Sequence, residues 1–449
     1  MQPTTIILFG GTGDLTKRKL LPAFTTLLRQ KTLAPSSLLI GIGRRPLTHE
    51  TYKQSLLMNL PADDQKSLQH FSILYFQDDV GQKNSLEDLS AFLKQHETAT
   101  SNRLFYLATS YTLFPQIVQA LHKHTLDKQK DGWTRIVFEK PFGYDLASSD
   151  ALDISIHKVF SEENIFRIDH YLAKETVQNL NVLKFTNPVF DNLLHKALVA
   201  HITITVDESL GVGNRLGYYA EAGALKDMLQ NHLLQMTALL LMERPSSLAV
   251  SAFHDAKVQA LEHLHIASAD QHLLGQYTSY RDECKQAKIP YTKTETFAKI
   301  VLTCTLPRWK GVPIILRTGK KLLKKYGQLI VHFKPLSSSP FPEQTLAENQ
   351  LIIDVYPEQD IKLRLNTRNP TTGLLAPINL LFSPKSHFGP NTSDEYATLL
   401  GDVLRGEHLL FTRFDEVQAA WKIVEQIEQM RIKIPFVLYA DGTDPEKIT

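Results

Sequence analysis

Apolar residues along this chain fall into two textures. Up to about residue 168 they come as short continuous runs, Thr4–Phe9, Ser37–Ile42, Ser72–Phe76, Arg103–Ala108, Arg135–Phe138 and Ile165–Ile168. Between them lie stretches with helical spacing, such as Leu86–His96 and Phe114–His124. Runs of that kind suit strands buried on both faces, and strands alternating with helices predict a parallel sheet with helices against it. Beyond residue 180 the runs alternate instead, at Ala200–Val206, Thr294–Thr305, Gln328–Phe333, Leu351–Val355 and Ile361–Leu365. Few helices separate the later ones, which predicts a mainly antiparallel sheet. Helical spacing is expected at Lys174–Asn187, Gly223–Met242, Ser247–His265, Asp394–Arg405 and Asp415–Gln429, and Ser337–Pro340 reads as a loop. With 449 residues the chain exceeds what one core supports, so two domains are expected, an α/β domain over residues 1–172 and an α+β domain with a large sheet over 173–449.

The first run ends in Gly10-Gly11-Thr12-Gly13-Asp14 and is followed by helical spacing from Leu15. Strand, glycine turn and helix together make a pyrophosphate cradle, in which glycines let backbone amides approach and the helix N-terminus favours the anion. The first domain is therefore expected to be Rossmann-like and to bind a dinucleotide. Thr16 stands where the third glycine of the common pattern would fall. The second strand ends in Gly43-Arg44-Arg45, where an NAD site usually carries an acid. Two arginines suit a 2′-phosphate and favour NADP over NAD; the alternative is a pair of surface arginines.

The run Ile165–Ile168 leads into Asp169, His170, Tyr171 and Lys174. Lys174 opens a helix, where a cation opposes the helix dipole unless an anion sits there too. A bound phosphate, held by helix amides, Lys174 and His170, would resolve this; otherwise Lys174 extends into solvent and His170 closes a turn. On the expected helix Gly223–Met242, Asp227 and His232 lie about 140° apart in α-helical geometry, so they need not share a face, yet both could border one pocket near the end of the sheet. A histidine among apolar neighbours is more often a satisfied core residue than a catalyst. Yet taking a hydroxyl proton as hydride leaves the same carbon requires a base titrating near neutrality, with a carboxylate such as Asp169 to orient it. Further along, Arg317, Lys320, Lys321, Lys324 and Lys325 follow an apolar run, either as a solvated loop or as an anion site.

A formal charge of +2 and the lack of a long basic tract argue against nucleic acid or anionic lipid as partners. The start lacks a secretory pattern and no apolar run approaches ~18 residues, so a cytoplasmic protein without membrane spans is expected. Cys284 and Cys304 have no paired spacing, and neither His122 with His124 nor His263 with His265 shares a helix face, so no metal site is expected.

Taken together, the strings GGTGDLTKRKLLP (10–22), RLFYLA (103–108), EKPFG (139–143), RIDHYLAKE (167–175), GALKDMLQNHLLQ (223–235), TETFA (294–298) and VPIILRTGKKL (312–322) closely resemble the glucose-6-phosphate dehydrogenase family. The resemblance implies oxidation of D-glucose 6-phosphate to 6-phospho-D-glucono-1,5-lactone, the first step of the oxidative pentose phosphate pathway. It implies that His232 is the general base with Asp169 as its charge partner. Lys140, His170, Tyr171, Lys174, Glu208, Asp227, Lys320 and Lys325 then match substrate-binding positions. Gly10, Gly11, Thr12, Gly13, Asp14, Leu15, Thr16, Lys17, Arg44 and Lys140 match the cofactor site, with NADP expected and NAD a weaker alternative. The family's second domain also implies a homodimer or a dimer of dimers. Tyr356 stands where the family often has a glutamine that contacts substrate.

Overall fold

The computed structural model describes residues 2–58, 60–82, 84–98, 100–338, 341, 344–389 and 394–448, so residues 339 and 340 of the expected Ser337–Pro340 loop lie outside the described residues. The chain divides into two compact units, Met1–Ala173 with Ser393–Phe414, and Lys174–Thr392 with Asp415–Thr449.

In the first unit, β1 (Thr4–Phe9), β2 (Leu38–Gly43), β3 (Ser72–Gln77), β4 (Asn102–Leu107), β5 (Thr134–Phe138) and β6 (Ile165–Arg167) form one sheet in the order β3-β2-β1-β4-β5-β6. Every pairing is parallel. Ile7 at the centre of β1 pairs with Ile40 on one side and Phe105 on the other, and all of β1 is buried, which is why its sequence is an unbroken apolar run. The strand order reverses between β1 and β4, and an open parallel sheet binds ligands at the carboxyl ends beside such a reversal.

The helix Glu395–Arg405 belongs to this unit although it lies far along the chain. Its apolar side, with Leu399, Leu400 and Val403, joins Leu20, Phe24 and Leu27 in the core. Arg135 on β5 holds its far end, donating to the carbonyls of Val403 and Leu404 at 2.6 and 2.9 Å. Periodicity identifies such a helix but carries no information on which core receives its apolar face.

The second unit holds β7 (Val199–Asp207), β8 (Leu264–Ile266), β9 (Leu273–Tyr277), β10 (Phe297–Cys304), β11 (Ile314–Gly319), β12 (Tyr326–Phe333), β13 (Gln350–Tyr356), β14 (Ile361–Arg368), β15 (Leu375–Phe382) and β16 (Phe436–Tyr439). They form a ten-stranded sheet in the order β15-β14-β13-β12-β7-β11-β10-β9-β16, with β8 paired to β10. The pairings are antiparallel except β7 with β11 and β9 with β16. On β12, Leu329, Val331 and Phe333 are buried while Gln328, Ile330 and His332 remain half-buried, the alternation of a sheet with one apolar and one polar face.

Several elements differ from the sequence expectation. The helix expected at Ser247–His265 runs Val250–Glu262 and gives way to β8, and that expected from Leu86 begins at Leu89. β15 went unseen because Pro377 interrupts its pattern; a proline cannot serve both ladders, and β15 lies at the sheet edge.

Candidate active site

The candidates in the first unit gather at the carboxyl edge of its parallel sheet. Gly10 leaves β1 at φ +78°, and a Cβ there would lie 2.4 Å from the Ala108 carbonyl oxygen, so only glycine makes this turn beside β4. The Gly11 amide donates to Ile42 O at 3.0 Å, and the Gly13 amide to Gly10 O at 2.9 Å. Thr16 is buried, and its hydroxyl donates to the Gly10 carbonyl at 3.3 Å, closing the turn where the common pattern has its third glycine. Leu15 packs on the core, and the Lys17 amide donates to Gly13 O at 3.4 Å. The helical run starting at Asp14 passes through a π-helix, Thr16–Leu20. The first amides of such a run have no carbonyl within the helix, the donor set a pyrophosphate needs. Thr12 lies beside Gly43, and Arg44, exposed, follows directly on β2, the neighbour of β1.

β5 and β6 are also neighbours and parallel, so Lys140, two residues past β5, and Asp169–Tyr171, just past β6, share one edge. Asp169 is 2% exposed and accepts the Tyr171 amide at 3.0 Å. The His170 ring stacks on Tyr396 at 6.4 Å between centroids, with 16° between planes. Tyr396 and Tyr106 both donate to Glu139, whose carboxyl burial pushes above its ordinary value.

In the second unit, parallel β7 and β11 place their carboxyl ends side by side, and Asp207 pairs with Gly319. The residues that follow, Glu208 and Lys320, form an ion pair. Lys320 also lies 3.8 Å from Asp227, which is 2% exposed and 3.6 Å from Arg215. The five basic residues of the loop do not act as one cluster. Arg317 turns to Asp207 and Glu446, Lys321 to Glu283 and Asp441, and Lys324 lies over Tyr326.

Asp227 and His232 do not sit on the expected α-helix. Gly223 breaks the run at φ 59°, ψ −174°, a π-helix covers Leu225–Leu233, and α-helical winding resumes over Leu234–Leu241. In a π-helix the bonds span five residues, so Asp227 and His232, five apart, leave on one side rather than about 140° apart. His232 is 1% exposed, and its amide donates to Asn231 Oδ1 at 3.1 Å. The break is held by Glu295, whose carboxylate accepts the Leu225 amide at 3.1 Å and whose carbonyl accepts that of Ala224 at 2.9 Å. A Cβ at Gly223 would lie 2.2 Å from that carboxylate.

Lys174 caps the helix Glu175–Thr186, its carbonyl accepting the amides of Val177 and Gln178 at 3.0 Å each. Its ammonium lies 5.7 Å from the centre of the Tyr356 ring, and that of Lys325 lies 5.3 Å from it. Tyr356 pairs with Gly327, where any Cβ would meet the ring at 2.6 Å. Two candidate anion ligands therefore share one aromatic plate that glycine makes room for.

Tyr396 escaped the sequence reading, and Glu139 and Glu295 stand in its strings EKPFG and TETFA without an assigned role. Glu139 and Glu295 carry a signal, since an acid flanking a buried strand needs partners, but Tyr396 carries none locally.

Residues 7–179 match the model of the glucose-6-phosphate dehydrogenase NAD binding domain, and residues 181–448 that of its C-terminal domain. The first unit is accordingly a nicotinamide dinucleotide-binding domain. Glucose-6-phosphate 1-dehydrogenase of Aggregatibacter actinomycetemcomitans is 37% identical over 94% of this chain and 90% of its own, and that of Bacillus subtilis 35% identical over 94% and 91%. A solved glucose-6-phosphate dehydrogenase in complex with its substrate glucose-6-phosphate superposes with a TM-score of 0.89, at 29% identity over 99% of this chain and 95% of that one. With both domain models matched in order and the fold shared along nearly its whole length, the chain belongs to the glucose-6-phosphate dehydrogenase family.

Proposed function

We propose that the protein oxidises D-glucose 6-phosphate to 6-phospho-D-glucono-1,5-lactone with NADP+, opening the oxidative pentose phosphate pathway. The observation that carries this reading is the π-helix that turns the buried His232 and Asp227 to one side, with Asp227 beside Lys320, which pairs with Glu208. His232 takes the proton of the C1 hydroxyl as the C1–H bond breaks, leaving the C1 carbonyl of the lactone. When bound, NADP+ accepts the hydride. Asp169 is the charge partner that stabilises the imidazolium, which its own deep burial supports. Asp227, Glu208, Lys320 and Lys140 orient the sugar ring. Lys174, with the first-turn amides behind it, holds the phosphate together with His170, Tyr171 and Lys325.

The glycine turn with Lys17 would hold the pyrophosphate, and Lys140 would be a further ligand of the cofactor. Arg44 would pair with the 2′-phosphate, and the absence of an acid after β2 supports NADP over NAD. A homodimer or dimer of dimers through the second unit is supported by edge strand β15, which exposes Ile378, Leu380, Leu381 and Phe382. No described helix is long and apolar enough to cross a membrane, and we place the protein in the cytoplasm, without nucleic acid partners.

The test is initial-rate absorbance of reduced cofactor with glucose 6-phosphate and each nicotinamide in turn. Reduction of NADP+ in preference to NAD+ is expected, with Arg44→Ala raising KM for NADP+ and sparing NAD+. Reduction of neither cofactor would overturn the reading.

A further inference from the structure

The polar face of the second unit's sheet carries a group that the reaction does not use. His201 on β7 and His332 on β12 are directly opposed partners in an antiparallel pair. Their rings stack at 3.9 Å between centroids, with 15° between planes. Gln350 on β13 opposes His332 on its other side, and Glu348, two residues earlier, reaches back so that its Oε2 lies 2.8 Å from His332 Nδ1. Gln350 Nε2 also donates to that carboxylate at 2.8 Å.

Two features make this more than a polar patch. The carboxylate oxygen 2.8 Å from His332 Nδ1 puts two ligand-type atoms side by side, joined by a ring N–H or, with that proton displaced, by a shared metal ion. The other ring nitrogen, His332 Nε2, lies 3.1 Å from Thr203 Oγ1, the kind of outer hydrogen bond that fixes the tautomer of a metal-bound histidine. One donor atom from each of His201, His332 and Glu348 lies within 4.8 Å of the others. Tetrahedral ligands at 2.0–2.1 Å from an ion stand roughly 3.3 Å apart, and because each ring nitrogen's lone pair lies in its ring plane, the two stacked imidazoles turn toward one another to share the ion.

We propose that His201, His332 and Glu348 bind a divalent transition-metal ion of the zinc class, with water in the fourth position. The ion would staple β7, β12 and the approach to β13, and it would stabilise the fold in proportion to its free concentration. A second convergence, of Asp153, His157 and Glu162, is less suited, because Arg167 already pairs with both carboxylates at 2.7 Å.

The experiment is titration of chelator-treated, full-length protein with Zn2+ by calorimetry and with Co2+ by visible absorption. One ion per chain is expected, with a four-coordinate Co2+ spectrum, a higher Tm in Zn2+ than in chelator, and binding that weakens as pH falls because protons compete for the ligand atoms. His201→Gln and His332→Gln should each weaken binding at least tenfold while leaving turnover unchanged. Should one of them fold poorly, Glu348→Gln supplies the second variant. Absence of binding, or a single site that survives both histidine variants, would overturn the proposal.

Discussion

The glycine turn of the first unit and the basic corner of the second are built on opposite plans. Gly10 to Lys17 are consecutive, and each shapes the next: Gly13 and Thr16 both bond the Gly10 carbonyl. In the second unit Glu208, Asp227 and Lys320 come from three separate segments, joined because β7 and β11 end side by side and Glu295 fixes where the π-helix begins. A contiguous site depends on local dihedrals. A dispersed one depends on register, and a change far away in sequence can dismantle it.

The largest expected effect tests the dispersed site directly. His232→Asn should lower kcat about 10²–10⁴-fold with KM for the sugar phosphate nearly unchanged, as removal of a general base requires. A full-rate His232→Asn enzyme would move the base elsewhere. Next in size, Lys174→Ala should raise KM for glucose 6-phosphate about 10- to 100-fold, the worth of one charged hydrogen bond, while barely changing the weak reaction with free glucose. Equal losses on both sugars would remove the phosphate contact.

The comparison is sharpened by two glycines. Gly10→Ala and Gly223→Ala each force a side chain into a positive-φ position and into a neighbouring oxygen, at a cost of about 1–3 kcal/mol from the backbone alone. In those molecules that remain folded, Gly10→Ala should raise KM for the cofactor and Gly223→Ala should lower kcat. The reverse pattern in steady-state kinetics would break the division of labour between the two regions.

The smallest effect concerns Glu139. Because burial holds its carboxyl above the ordinary 4.5, the folded protein keeps this proton to higher pH than the unfolded chain does. Its contribution to stability is therefore full below pH 4.5 and is lost as pH rises through the raised value, at no more than about 1.4 kcal/mol per pH unit. Glu139→Gln should flatten that decline in a series of Tm against pH. An unchanged slope would mean that the carboxyl titrates normally.

Much of this was legible in the chain itself. Continuous apolar runs announced the parallel sheet because β1, β2, β4 and β5 are covered on both faces, and alternation announced the second sheet because one face of β12 is polar. The turn at Gly10–Gly13 was legible because its geometry is local.

What the sequence left open was decided by long-range packing. Helix Glu395–Arg405 shows its amphipathic period but not that its apolar face fits beside Phe24 and Leu27. The run Leu225–Leu233 reads as an α-helix, and becomes a π-helix with Glu295, seventy residues on, satisfying the Leu225 amide at its start. The string Arg317–Lys325 looks like one basic patch, but acids on other strands and helices draw its members apart, leaving Lys325 to share the Tyr356 ring with Lys174. Side-chain charge and period are written residue by residue, whereas partners are assigned only when strands take their register, and it is the partners that set where each charge points.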